Sequence, residues 1–127
     1  PNKAETDKGF DAAVTLMVEE IEHTALSCGT HNEDSSQLLV DLMEKYHIAK
    51  DDPRIYFAQL LGMSDHISFN VANEGYNVTK YVPYGPIKMV MPYLLRRAQE
   101  NTSVAGQTGR ELTLLTKELK RRKLDKQ

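Results

Sequence analysis

Hydrophobic positions along this chain alternate between helical and strand-like spacing. Phe10, Ala13, Val14, Met17, Val18 and Ile21 recur at intervals of three and four, as one face of a helix does, with Asp7 available as its cap and Asp11, Glu19, Glu20 and Glu22 on the other side. Residues 24–29 follow as a short buried strand, although Ser27 and Gly29 weaken its propensity. After the polar turn Thr30-His31-Asn32, Glu33 and Asp34 fall in the first turn of a second helix, where carboxylates suit the positive end of the dipole. Leu38, Leu39, Leu42, Met43 and Tyr46 form its apolar stripe, and it ends near His47.

The turn Asp51-Asp52-Pro53 leads into residues 54–61, aromatic and β-branched at the start and apolar nearly throughout, which predicts a strand buried on both faces. Gly62 breaks that run. Asp65 is positioned to cap a third helix through Ile67, Phe69, Val71 and Ala72, and Gly75 to close it in the left-handed conformation. Residues 76–82 give a third strand, with Val78 and Val82 on one side and Thr79 and Tyr81 on the other. A helix over about 86–101 follows, started or kinked by Pro92, which has no N–H. Residues 101–106 read as a loop, and Thr108 with Glu111 as a capping box opening a last helix over about 109–123, with Leu112, Leu115 and Leu119 on its buried face.

Helices of this length between strands imply parallel strands with right-handed crossovers, hence an α/β fold. The polar, chemistry-bearing groups all follow strands: residues 30–32, 60–65 and 81–85. That is where a (βα)8 barrel or an open α/β sheet assembles a ligand site. No Gly-x-Gly-x-x-Gly occurs, so a Rossmann nucleotide site is not predicted.

Composition narrows the function. A chain of 127 residues with 40% hydrophobic content suits one modest domain, and a formal charge of −2 gives no global pull toward nucleic acid or membrane. Cys28 stands alone, excluding an internal disulfide, and His23, His31, His47 and His66 are too scattered to predict a metal site. No apolar run reaches the roughly 18 residues of a membrane span. Lys117, Lys120, Arg121, Arg122, Lys123 and Lys126 crowd the chain's end, as a solvated helix terminus or a surface for an anionic partner such as a membrane.

On the helix over 86–101, Tyr93, Arg96, Arg97 and Glu100 share one polar stripe opposite Leu94 and Leu95. Arginine's planar fork fits a carboxylate bidentately, and Glu100 can hold two neighbouring guanidiniums from one turn further on. An exposed Arg–Glu pair on a surface helix has the same spacing.

Residues 80–85, the run Pro92-Tyr93-Leu94-Leu95-Arg96-Arg97 and the pair Glu100-Asn101 resemble the last strand and last helix of the proline dehydrogenase family, in its eukaryotic mitochondrial branch. The resemblance extends upstream, in the family's order, to residues 29–35 and 56–65. It implies a (βα)8 barrel, of which this chain is the C-terminal part, since such barrels need about 250 residues. It also implies oxidation of L-proline to Δ1-pyrroline-5-carboxylate, with hydride passing to N5 of bound FAD. Carried over by motif, Arg96 and Arg97 clamp the proline carboxylate, Tyr93 and Tyr81 wall its ring, and Leu60 packs against it. Thr30 and His31 match the pair that contacts FAD, Asn32 completes that motif, and Glu100 holds the arginines and reaches toward the cofactor. The resemblance further implies a quinone as electron acceptor and a mitochondrial location on the matrix side of the inner membrane. Related hydroxyproline dehydrogenases carry a smaller residue at the position of Tyr81, which favours proline here. The family's substrate lysine, an aspartate near the flavin and an arginine near N5 come from earlier strands that this chain does not contain. A stand-alone, inactive binding or regulatory piece is the other reading of 127 residues.

Overall fold

A computed structural model of the protein describes residues 2–103 and 107–124, with side chains for 2–97, 112–114 and 116–122. The elements are α1 (Lys3–Glu19), β1 (Leu26–Gly29), α2 (Glu33–Lys45), β2 (Ile55–Leu60), α3 (Asp65–Asn73), β3 (Val78–Tyr81), α4 (Ile87–Ser103) and α5 (Gln107–Leu124). This is the order the hydrophobic spacing predicts. Two compact units divide the chain, Pro1–Val82 and Pro83–Gln127.

In the first unit the strands pair in sequence order, all parallel, with β2 in the centre. Leu26 lies opposite Ile55 and Cys28 opposite Phe57; Phe57 in turn lies opposite Val78, and Leu60 opposite Tyr81. Burial alternates along each strand, so one sheet face holds Leu26, Cys28, Ile55, Phe57 and Gln59 under helices. Val14 and Val18 of α1, and Leu39, Leu42 and Met43 of α2, complete this core. Residues 54–61 therefore do not form a strand buried on both faces: Tyr56 is 40% exposed on the side opposite Phe57. Apolar content alone does not distinguish a covered face from an open one.

Helix ends depart from expectation in ways the side chains explain. The α1 helix starts at Lys3 rather than near Asp7, because Asn2 makes a full capping box: its Oδ1 accepts from the Glu5 N–H at 2.9 Å, and the Glu5 carboxylate accepts from the Asn2 N–H at 3.3 Å. Asp7 is instead paired with Lys3 inside the first turns. The α2 and α3 helices end alike. Ile48 N–H donates to the Met43 carbonyl and His47 N–H to that of Glu44, while Tyr76 and Gly75 donate to Val71 and Ala72. The residue after each cap must be left-handed, which Gly75 adopts readily at φ 93° and His47 adopts at φ 55°. Asp65 is not the cap of α3; that place belongs to Ser64.

At the amino ends of the strands, Asp52 and Arg54 form a staple. Asp52 accepts from the Arg54 backbone N–H at 2.9 Å, from Nε at 3.0 Å and from Nη2 at 2.8 Å. Arg54 Nη1 reaches across to the Ile21 carbonyl and the Glu22 carboxylate, both at 3.2 Å. Asn77 Nδ2 donates to the Asp52 carbonyl at 2.8 Å, tying in the third strand. The Arg54 side-chain and backbone bonds hold the Asp52 carboxyl at about 2, below its ordinary 3.8. A lowered carboxyl pKa stabilises the fold fully above the unfolded value, and that contribution disappears as pH falls through the folded one. The urea midpoint of the protein is therefore expected to fall between about pH 4 and pH 2 more steeply than that of Asp52→Asn. Parallel acid profiles for the two proteins would show that the staple contributes nothing.

Burial pushes the Cys28 thiol up to about 11, with the nearby Asp11 carboxylate adding to the effect, so the thiol stays protonated and inert, as a small buried hydrophobe should. Asp11 itself accepts from the Ser35 hydroxyl at 2.6 Å, joining α1 to α2.

In the second unit, α4 runs unbroken through Pro92, in its second turn, leaving the Lys88 carbonyl without its usual helical donor. Pro92 thus lies inside the helix and does not start it. Residues 101–103 are helical rather than loop, and residues 104–106 lie outside the described residues. Helix α5 begins at Gln107, so Thr108 falls within the helix instead of preceding it; its side chain and that of Glu111 lie outside the described residues. Leu112 and Leu119, expected on a buried face, are 66% and 60% exposed, and the side chain of Leu115 is outside the described residues. Their spacing marks an apolar stripe, but the second unit does not itself bury it. Glu118 accepts from Arg121 and from Arg122 at 2.8 Å, and these bonds hold its carboxyl at about 2.

Candidate functional site

Parallel pairing brings the carboxyl ends of all three strands to one edge of the sheet. Thr30 N–H donates to the Ala58 carbonyl at 3.2 Å and Leu61 N–H to the Tyr81 carbonyl at 3.0 Å, so the residues leaving β1, β2 and β3 start side by side. Leu60 and Tyr81 are register partners, and Tyr81 is 55% exposed. With Ala58 and Thr79 they lie on the sheet face opposite the core. Thr30, His31, Leu60 and Tyr81, singled out by sequence, thus converge on one rim.

A dense polar network supports this rim. Thr30 Oγ1 accepts from the Asn32 N–H at 3.0 Å, and Asn32 Oδ1 accepts from the Asp34 N–H at 3.0 Å. Asn32 is thereby the N-cap of α2, a local folding role that sequence inspection did not assign it. The buried Gln59 donates to the Thr30 carbonyl at 3.3 Å and accepts from the Ser68 hydroxyl at 2.8 Å. Lys80 Nζ donates to the Met63 carbonyl and to Asp65, each at 2.8 Å, holding the β2–α3 turn against β3. His31 Nδ1 lies 2.9 Å from Ser64 Oγ, and His66 Nε2 lies 2.8 Å from a Glu33 carboxylate oxygen.

Gln59, Ser64 and Lys80 fall within the stretches that carry the family resemblance, yet no period or spacing assigns them a role there, and His66 lies outside those stretches. Only Gly62 hints, in sequence, at the tight turn that brings Ser64 into the network.

Helix α4 presents the other predicted residues. The Arg97 guanidinium lies over the Tyr93 ring, 5.4 Å from its centroid, as residues four apart on a helix can. Both are half-buried, whereas Arg96 is exposed. The two guanidiniums therefore meet different surroundings although they are adjacent in sequence. Leu94 and Leu95 are exposed as well. The Glu100 side chain lies outside the described residues. Among the described residues, no three His, Cys, Asp or Glu side chains group as a metal site, and no helix is long and apolar enough to cross a membrane.

Consecutive parallel βα units with ligand-capable polar groups gathered at the strands' carboxyl ends define an α/β protein of the strand-end-site class. The family model for proline dehydrogenase matches residues 1–110, and the chain belongs to that family. It is 43% identical over 125 residues to the human protein named proline dehydrogenase 1, mitochondrial, covering 96% of this chain and 21% of the relative. The bovine protein of that name is 42% identical with the same coverage. Bovine hydroxyproline dehydrogenase is 41% identical over 128 residues, covering 98% of this chain and 28% of the relative. The chain thus spans about a fifth of the length of the proline dehydrogenases it matches. No solved structure matches it.

Proposed function

We propose that this chain is the C-terminal part of a (βα)8 barrel that oxidises L-proline to Δ1-pyrroline-5-carboxylate. Membership of the proline dehydrogenase family carries the proposal. The convergence of Thr30, His31, Leu60 and Tyr81 on one strand-end rim supports it. When bound, FAD supplies the acceptor for the hydride leaving the ring carbon beside nitrogen, while the nitrogen gives up a proton and the C=N bond forms. The rim suits such a group chemically: aromatic and aliphatic surface at Tyr81 and Leu60 stands beside the polar Thr30 and His31, the mixture that flat heteroaromatic ligands require.

In this reading Thr30, His31 and Asn32 form part of the FAD site, with Asn32 acting through the cap it gives α2. Arg96 and Arg97 receive the substrate carboxylate, Tyr93 and Tyr81 wall the proline ring, Leu60 packs against it, and Glu100 steadies the arginines and approaches the cofactor. Orienting the reacting carbon in this way contributes on the order of 7–11 kcal/mol in well-aligned model reactions. The electron acceptor is a quinone, and the location is the matrix face of the mitochondrial inner membrane. For such a surface the basic end of α5 offers Lys117 and Lys120 in full, since Arg121 and Arg122 share their charge with Glu118.

Similarity to hydroxyproline dehydrogenase favours a second substrate reading. The phenol of Tyr81 weighs against it, because it fills space that an extra ring oxygen would need. In the protein carrying the whole domain, anaerobic L-proline is expected to bleach the flavin band, at least about tenfold more efficiently than hydroxyproline, the margin a misfitting polar group costs. Equal efficiency would remove Tyr81 from the specificity account, and no bleaching by either imino acid would end the enzymatic reading.

A further inference from the structure

Ser64 gives up two local advantages that a residue at its place normally takes. It sits at φ 49° and ψ 41°, the left-handed region that a residue with a Cβ seldom adopts. It is also the N-cap of α3, where a serine hydroxyl ordinarily accepts from an N–H of the first turn, yet its side chain makes no capping bond. Only its carbonyl serves the helix, accepting from the N–H groups of Ile67 and Ser68 at 3.0 and 3.1 Å. The hydroxyl is directed instead to His31 Nδ1, 2.9 Å away and 33 residues earlier in the chain.

The surroundings make Ser64 a firm support. It is 4% exposed, and its carbonyl also accepts from the Ser68 hydroxyl at 3.2 Å. Lys80 grips the residues on both sides, Met63 by its carbonyl and Asp65 by its carboxylate. Two residues further along each turn, Glu33 and His66 make a second link, so the β1–α2 and β2–α3 connections are fastened at two points. A ring held at Nδ1 by an immobile hydroxyl has its plane fixed.

We propose that Ser64 is a positioning residue for His31, holding the imidazole in the one orientation in which it meets the flavin. The flavin part of this statement rests on the function proposed above. The contact between Ser64 and His31 does not.

Two variants in the protein carrying the whole domain separate the hydroxyl from the backbone. Ser64→Gly removes the hydroxyl and suits a left-handed residue, whereas Ser64→Ala removes it and keeps the strain. Both are expected to weaken FAD binding about fivefold, the usual worth of one hydrogen bond, and neither to weaken it further in a His31→Ala background. In flavin-free protein, diethyl pyrocarbonate is expected to modify His31 about fivefold faster in both variants, read by peptide mass spectrometry. Wild-type modification rates in Ser64→Gly, or equal weakening of FAD binding with and without the His31 ring, would overturn the proposal. Failure of the flavin reading shows separately, as wild-type protein without affinity for FAD, and the modification rates still decide the contact.

Discussion

Replacing Arg97 with alanine in the full-domain protein is expected to lower kcat/KM for proline by roughly 100-fold, mainly through KM, while flavin content stays near the wild-type level. Charge-assisted, fork-like bonds to a carboxylate are worth about 1.5–3 kcal/mol, and truncating a partner in a desolvated site costs about 2–5 kcal/mol. The position favours Arg97 over its neighbour for the larger share. Arg97 is half-buried with its guanidinium over the Tyr93 ring, which orients the fork, whereas Arg96 is exposed and is screened by solvent. Arg97→Lys keeps the charge and loses the fork, so it should fall between alanine and wild type. Steady-state kinetics with proline, alongside the flavin absorbance of each variant, measures the effect. Turnover of proline by Arg97→Ala at wild-type efficiency would remove the clamp from the mechanism.

Phe57→Ala is expected to destabilise the domain by about 3–5 kcal/mol in urea unfolding, a large part of the 5–15 kcal/mol that typical domains possess. Phe57 is 1% exposed at the middle of the central strand and meets Tyr76 edge-on, with ring centroids 5.5 Å apart and planes at 71°. The truncation removes this aromatic contact and leaves a cavity under helices that are fixed by their own caps, so the site has little freedom to collapse. Phe57→Leu, which keeps most of the volume, should cost less than half as much. A loss below about 1 kcal/mol for the alanine variant would mean that the β2 face is not the centre of the core.

The order of elements was legible because each has its own local period. The stripe through Val14 and Val18, the stripe through Leu39, Leu42 and Met43, and the strand pattern around Phe57 all survive into the structure as buried faces. The parallel sheet follows, because helices of this length leave no other way to connect neighbouring strands. Where the reading failed, two structures share one local pattern. The apolar run at residues 54–61 fits a strand covered on one face or on both, and the leucines of α5 fit a buried stripe or one awaiting a partner. Both Asp7 and Asn2 are acceptable caps for α1. Asn2 takes the place because Glu5 stands three residues after it to close the box.

By itself, the sequence determined the alternation of helices and strands, the family motif from Tyr93 to Asn101, and the set of residues following each strand. These depend on spacings of two, three and four along the chain, which covalent geometry fixes locally. Only the tertiary structure decided that Ser64 meets His31, that Glu33 meets His66, and that Lys80 grips the turn between β2 and α3. Those partners are 17 to 33 residues apart. They come within hydrogen-bond reach because the parallel register sets the ends of the strands side by side and a left-handed turn at Ser64 aims its hydroxyl across the gap.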